Sequence, residues 1–417
     1  MKISVARLLI TVAVICNTVH TIYISLIVLP SRKEVSRSVE HDSFGMPQSD
    51  ARFDIQSSTN IKSQESEGTF SACILWKDDN HFLREWLAYH YQVLPLRRLI
   101  IAVDPTARTS PTEILDRYRD RKLMNITEWS DHDYWPAVTR GVKFERRTRY
   151  DKLSAREKVD RHRYRQKTFN RKCMTQLKQE NRTWTLMIDN DEFLYPNTHV
   201  RPKLVIPSDF QKNKTTTMWE RLEHAHHAKL SPMYSSPCIA LPRLQFGGRE
   251  SNSTLVQAPA PPGFNGSDFM TLRWRFNVGR RAFSGHGKNI IDLSRVSTSR
   301  HLNKKQVEVH RVIKSLCSKA NMGIKHRNSI FTVHHYTGSW EQWSFRVDAR
   351  KDLKMTKTKE KFDETIDRSR SQDDSSQEWL QDFVTSIGEE LAKVLLEGSN
   401  DTSSLQAVEK DIIMVGS

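Results

Sequence analysis

Hydrophobic residues along this chain change their spacing repeatedly, and each change marks an element. Short apolar runs at Cys73–Trp76, Arg98–Asp104, Asn125–Trp129 and Thr185–Asp189 have the length and β-branched content of strands. Apolar residues three and four apart at Asn80–Gln92 and Thr112–Lys122 predict helices between them. Strand alternating with helix predicts an α/β domain, a Rossmann-type, mostly parallel sheet with flanking helices and right-handed crossovers. Further along the pattern loosens. Ser236–Phe246, Asn289–Val296 and Phe331–His335 read as strands, and the proline-rich Ala258–Gly263 reads as a loop.

The flanks follow other patterns. Residues 1–30 read as a short tip and an anchor, because Leu8–Leu29 carries no formal charge and ends at Pro30. As a helix it would extend about 33 Å, enough to cross the hydrocarbon core. It exceeds a signal-peptide core and lacks a small-x-small cleavage pattern, which predicts an uncleaved transmembrane helix in contact with the lipid bilayer. Lys2 and Arg7 precede it while Arg32, Lys33 and Arg37 follow, so flanking charge does not select an orientation. Residues 31–69 are too polar to fold alone and read as a stem. The globular domain is expected over 70–350. Residues 351–417 form a charged extension in which Trp379, Phe383, Ile387, Leu391 and Val394 recur at helical spacing behind the capping-box pattern Ser375-Ser376-Gln377-Glu378. That stripe predicts one helix with a packing face, ending at Gly398.

Candidate chemistry concentrates at Asp189-Asn190-Asp191, directly off the run Trp184-Thr185-Leu186-Met187-Ile188. If the strand continued, both aspartates would project from one side, about 7 Å apart, with Asn190 turned away. Two hard carboxylates with open coordination positions suit Mn²⁺ or Mg²⁺ carrying a diphosphate.

Three segments resemble the GT-A-fold glycosyltransferases, in particular family 92 and family-2-like membrane-bound enzymes. They are Cys73–Asp79 with Leu83-Arg84-Glu85-Trp86-Leu87-Ala88-Tyr89-His90, the Asp189–Phe193 motif, and Val333-His334-His335-Tyr336-Thr337-Gly338-Ser339-Trp340. The resemblance implies a GT-A-like fold and a metal-dependent, inverting transfer of a hexose from a nucleotide sugar, UDP-linked by preference, to a glycan or glycoprotein acceptor. It implies Asp189, Asp191 and His335 as metal ligands, with His334 not distinguished from His335 by spacing. Asp78, Asp79 and Asp104 would contact the donor nucleoside. An acceptor-side carboxylate, Asp268 ahead of Glu250, would be the general base, and Trp274 and Trp340 are candidate sugar platforms. A metal-dependent phosphohydrolase or nucleotidyltransferase could use the same acidic pair, though no Gly-rich phosphate loop accompanies it. A non-catalytic, membrane-anchored glycan-binding protein is the third reading.

Charge departs from the family pattern. Arg140–Arg182 holds 16 Lys and Arg against 5 Asp and Glu, a surplus of 11 within the chain's formal +16. Only Phe144, Tyr150, Tyr164 and Phe169 are interspersed, which argues against nucleic acid as a partner and for a solvated helix, with an anionic acceptor or membrane surface as the alternative. Asn125, Asn181, Asn213, Asn252, Asn265 and Asn400 open glycosylation sequons. Outside the apolar span, Cys73, Cys173, Cys238 and Cys317 allow two disulfides in any of three pairings, or four reduced thiols, and no spacing suggests zinc. Sequons, anchor and resemblance together predict a single-pass type II protein of the Golgi or endoplasmic reticulum with its catalytic domain in the lumen.

Overall fold

A computed structural model describes residues 68–135, 150–197, 218–228, 234–249, 260–279, 287–317, 328–345 and 358–398. No helix among them is long and apolar enough to cross a membrane, and the predicted span at 8–29 lies outside them.

The first half follows the periodicity. Strand β1 (Phe70–Trp76), helix α1 (Asn80–Val93), β2 (Leu96–Val103), α2 (Thr112–Arg119) and β3 (Asn125–Trp129) form two strand-helix-strand units of a parallel sheet. A short α3 (Asp131–Tyr134) and the long α4 (Ala155–Gln179) lead to β4 (Trp184–Met187), which returns to the other side of β1. Both faces are covered, so alternate residues enter different cores. Ala72, Ile74, Leu99 and Ile101 pack with Leu83, Trp86 and Leu87 of α1, while Cys73, Ile100 and Ala102 pack with Phe169, Met174 and Leu177 of α4. Burying both faces is why these strands read as continuous apolar runs.

The sheet is not mostly parallel, however. Its order is β3-β2-β1-β4-β9-β6, and β9 (Lys288–Asp292) runs antiparallel to both β4 and β6 (Cys238–Leu241). A second, mixed sheet holds β5 (Glu192–Pro196), β7 (Arg243–Phe246), β8 (Phe276–Asn277), β10 (Phe331–Tyr336) and β11 (Ser371–Gln372), in the order β11-β8-β7-β10-β5. The single strand expected over Ser236–Phe246 divides at Pro242, which has no N–H for a ladder, and its halves enter different sheets. The strand expected at Asn289–Val296 stops at Asp292, whose side chain accepts from the backbone N–H of Ser294 and turns the chain into a 3₁₀ helix.

Shorter helices α5 (Met218–His227), α6 (Met270–Arg273), α7 (Thr298–His301), α8 (Trp340–Phe345) and α9 (Lys359–Arg368) fill the second half. The expected C-terminal helix is two, α10 (Trp379–Ile387) and α11 (Glu389–Glu397), broken at Gly388 with φ 86°. Trp379, Phe383 and Leu391 join the core that contains α1. The four globular cysteines pair as Cys73–Cys173, from β1 to α4, and Cys238–Cys317.

Candidate active site

Strand order places the site. The chain builds outward from β1 through β2 to β3, then crosses to the opposite side of β1 for β4, so the switch point lies between β1 and β4. In open α/β sheets a crevice forms there, at the carboxyl ends of the strands. Asp78 and Asp79 follow β1, Asp104 follows β2, and Asp189 and Asp191 follow β4.

The two aspartates of the motif do not lie along one strand face. Strand β4 ends at Met187 and β5 opens only at Glu192, so Asn190 and Asp191 turn the chain from the first sheet to the second. Asn190 is buried, and its amide reaches the carbonyl of Asp79 at 3.4 Å, tying this turn to the start of α1. Asp189 keeps 59% of its side chain open to solvent and binds the ammonium of Lys288 at 2.7 Å. Asp191 is buried and faces His335 Nε2 at 3.5 Å.

Register explains these neighbours. Met187 pairs with Asn289 across the β4–β9 ladder, which sets Lys288 beside the chain that continues to Asp189. His335 pairs with Glu192 across β5–β10, and Val333 pairs with Arg243 across β10–β7. Glu192, fully buried, accepts from Arg243 at 3.0 Å and from the Asp189 backbone N–H at 2.9 Å, and its carboxylate lies 3.2 Å from the Lys288 ammonium as an ion pair. The Lys288 ammonium beside it holds the Asp189 carboxyl below its usual range. Lys288 is itself raised, because burial is outweighed by Asp189 and Glu192.

Among the described residues, ligand atoms of Asp191, Glu192 and His335 fall within 4.8 Å of one another. The structure thus brings Asp191 and His335 together as expected, and puts Glu192 rather than Asp189 beside them. Nε2 is the ring nitrogen of His335 that faces Asp191, and its Nδ1 is buried without a hydrogen-bond partner. One carboxylate and one imidazole fit Mn²⁺, with Mg²⁺ less suited because it keeps to oxygen. His334 is buried and stacks on Tyr195 at 4.0 Å, so it belongs to the core.

On the other side of β1, a cavity of about 810 Å³ opens at the ends of β2 and β3. Asp104, Trp129, Asp131 and Arg161 are among its lining residues. Beneath it Arg165 of α4 binds Asp104, donates to Asp131 at 2.7 Å, to the Tyr134 hydroxyl at 2.8 Å and to the Val103 carbonyl at 3.0 Å. Burial would raise Asp104, but Arg165 overrides it and the carboxyl is lowered. Asp78, with φ 53°, accepts from the backbone N–H groups of Arg108 at 2.6 Å and Thr109 at 3.1 Å, so it pins the loop after β2. Asp79 starts α1, its carbonyl accepting from Phe82 and Leu83. Both are buried, and their observed bonds are architectural.

Asp268 is exposed at the end of a 3₁₀ turn just before α6, and its carbonyl accepts from Arg84 of α1 at 3.2 Å. Glu85, the next residue of α1, accepts from the backbone N–H of Met270 at 2.5 Å and from the N–H and hydroxyl of Thr271 at 2.9 and 2.5 Å. Glu250 lies outside the described residues. Trp274 is buried with its indole N–H on Met270 sulfur, whereas Trp340 is half-buried against Trp343 and Phe362.

Sequence reasoning missed Lys288, Glu192, Arg165 and Glu85. Lys288 carried a signal, being a charge two residues before the apolar pair Ile290-Ile291. No family model matches this chain, and no curated protein matches it.

Proposed function

We propose that the protein is a metal-dependent glycosyltransferase that moves a sugar from a nucleotide-sugar donor to a glycan or glycoprotein acceptor. The observation that carries this reading is the Asp191–His335 pair at the switch-point edge of a sheet whose neighbouring strand ends border a cavity of about 810 Å³. From the ends of β2 and β3 to that of β4 is two to three strand spacings, about 10–14 Å. A nucleoside in the cavity would therefore lay its diphosphate toward Asp191. Mn²⁺ held by Asp191 and His335 would supply charge neutralisation on the departing diphosphate. Trp129 offers the cavity a ring, and Asp104 and Asp131, fixed by Arg165, offer acceptors for hydroxyl and N–H groups of the nucleoside.

The base of an inverting reaction would come from the acceptor side. Asp268 fits in being exposed while its backbone is clamped to α1. Likeness of the first helix, the Asp-x-Asp turn and the His-His-Tyr strand to family 92 and family-2-like enzymes supports the same reading. The two disulfides suit a lumenal location, for which the proposed topology is a type II Golgi or endoplasmic reticulum protein.

The test is full-length protein in detergent, offered a panel of nucleotide sugars with Mn²⁺ and mixed glycan acceptors. Nucleoside diphosphate should be released with acceptor present and stop on addition of EDTA. Release of phosphate or nucleoside monophosphate instead would indicate a phosphohydrolase or nucleotidyltransferase. Glycan binding without turnover would indicate a non-catalytic module.

A further inference from the structure

The elements on the two sides of the first sheet differ in charge. Helices α1, α2, α10 and α11 share one core and hold four Lys and Arg against seven Asp and Glu. Helix α4 and residues 293–317 share the other core, with Phe169, Met174 and Leu177 against Leu293, Val307 and Ile313. They hold 15 Lys and Arg against three Asp and Glu.

These cations are gathered into one area. Arg163, Lys167 and Arg171 stand four residues apart on α4, a rise of about 6 Å per step, and like charges at that spacing repel and weaken a helix. Lys167 lies 3.8 Å from Glu308 of the adjoining segment, Lys314 lies 2.7 Å from the same oxygen, and Arg311 acts on the same carboxylate. The backbone N–H of Lys314 donates to the Gln306 carbonyl at 2.9 Å, which sets the chain at Lys304-Lys305 beside it. Lys167 and Lys314 keep 41% and 42% of their side chains open to solvent. Among the described residues, Arg163, Arg171, Lys304 and Lys305 make no side-chain hydrogen bond or ion pair. Both elements are fastened by disulfides, α4 to β1 at Cys173 and the 293–317 segment to β6 at Cys317, so the spacing of the cations is fixed before a partner arrives.

A linear polyanion would turn this repulsion into attraction and release its own counterions. Single-stranded nucleic acid is held by stacking on aromatic rings, yet Tyr164 packs on Trp135, Phe169 is buried, and residues 293–317 contain no Phe, Trp or Tyr. A lipid surface is held by apolar side chains that enter it, and Phe345, the exposed large hydrophobic residue among those described, belongs to α8. Ser315, exposed next to Lys314, offers a hydroxyl to sugar hydroxyls. We propose that this basic face binds a linear glycan carrying carboxylate or sulfate groups. Arg163, Lys167 and Arg171 engage its anionic groups from α4, and Lys304, Lys305 and Lys314 engage them from the adjoining segment. The inference goes beyond the glycosyltransferase reading, since such binding needs neither metal nor turnover.

The test is binding of full-length protein in detergent to an immobilised heparin octasaccharide at about 0.15 M salt. Wild type should bind, and a neutral dextran of similar length should not. Replacing Arg163, Arg171, Lys304 and Lys305 together by Gln should weaken binding by about tenfold or more and flatten its dependence on salt, because fewer counterions are released. Each pair, Arg163→Gln with Arg171→Gln or Lys304→Gln with Lys305→Gln, should give part of that loss. Removing the same number of charges on and just after α9, by Lys359→Gln, Lys361→Gln, Arg368→Gln and Arg370→Gln, should change affinity less than about twofold. No heparin binding by wild type overturns the proposal, as does unchanged affinity in the first quadruple variant or equal losses in the two. Phosphatidylserine vesicles or a DNA oligonucleotide of equal charge bound as tightly, with the same dependence on these four residues, would overturn it in favour of a lipid or nucleic-acid partner.

Discussion

Lys288 engages Asp189 and His335 faces Asp191, so one substitution made at the two aspartates should have different outcomes. Asp191→Asn should lower Mn²⁺-dependent turnover by about a hundredfold or more, removing an interaction made to the developing charge. Asp189→Asn should cost about tenfold and leave the Mn²⁺ concentration for half-maximal rate nearly unchanged. Titrating rate against Mn²⁺ for both variants checks this, and equal shifts would contradict the division. Arg165 makes a second residue-level prediction. It is buried between Asp104 and Asp131, so Arg165→Met strands two carboxylates and should cost about 3–5 kcal/mol in urea unfolding. The Asp-x-Asp and His-His-Tyr residues were legible in the sequence because each motif is contiguous. Lys288 and Arg165 were not, since their partners lie 99 and 61 residues away and only strand register or helix packing introduces them.

Helix α1 is where an element, through two adjacent side chains, governs the acceptor side. Arg84 holds the carbonyl of Asp268, and Glu85 caps the amides that begin α6. Burial pushes the Glu85 carboxyl up from 4.5 to about 7, against the pull of the Thr271 hydroxyl, the Thr271 and Met270 amides and Arg84. Below 4.5 the group is protonated in folded and unfolded chains alike, and between 4.5 and about 7 the folded chain alone retains the proton. Its stability contribution therefore falls as pH rises through that window, by about 3 kcal/mol. Glu85→Gln carries no titrating group, so the difference in unfolding free energy between wild type and this variant should shift against wild type by that amount from pH 4.5 to 7. A pH-independent difference would contradict it. Elements of the first half were legible because each βαβ unit declares itself by local period. Those of the second half were not. Strand β9 enters antiparallel beside β4, Pro242 divides one apolar run between two sheets, and Gly388 divides one helix, and each depends on a partner or a backbone angle that hydrophobic spacing does not encode.

At the scale of the molecule, Cys73–Cys173 joins the first strand to the long basic helix across 100 residues of sequence. Replacing both cysteines by alanine should lower stability by about 2–5 kcal/mol, measured by denaturant unfolding. Non-reducing peptide mapping should recover Cys73 with Cys173 and Cys238 with Cys317. Asn125, Asn181 and Asn265 are exposed, so a chain of the proposed topology should gain gel mobility on endoglycosidase treatment, and unchanged mobility would count against a lumenal domain. The order of the disulfides has a consequence for biogenesis. Cys73 pairs with the next globular cysteine to emerge, and Cys238 with the one after it, so neither loop encloses or crosses the other. During synthesis the chain emerges from its amino terminus and regions fold as they appear. First-come oxidation then yields the native pairing: β1 is fastened to α4 before Cys238 exists as a competitor, and the second bridge closes on a partner that no earlier thiol is left to claim.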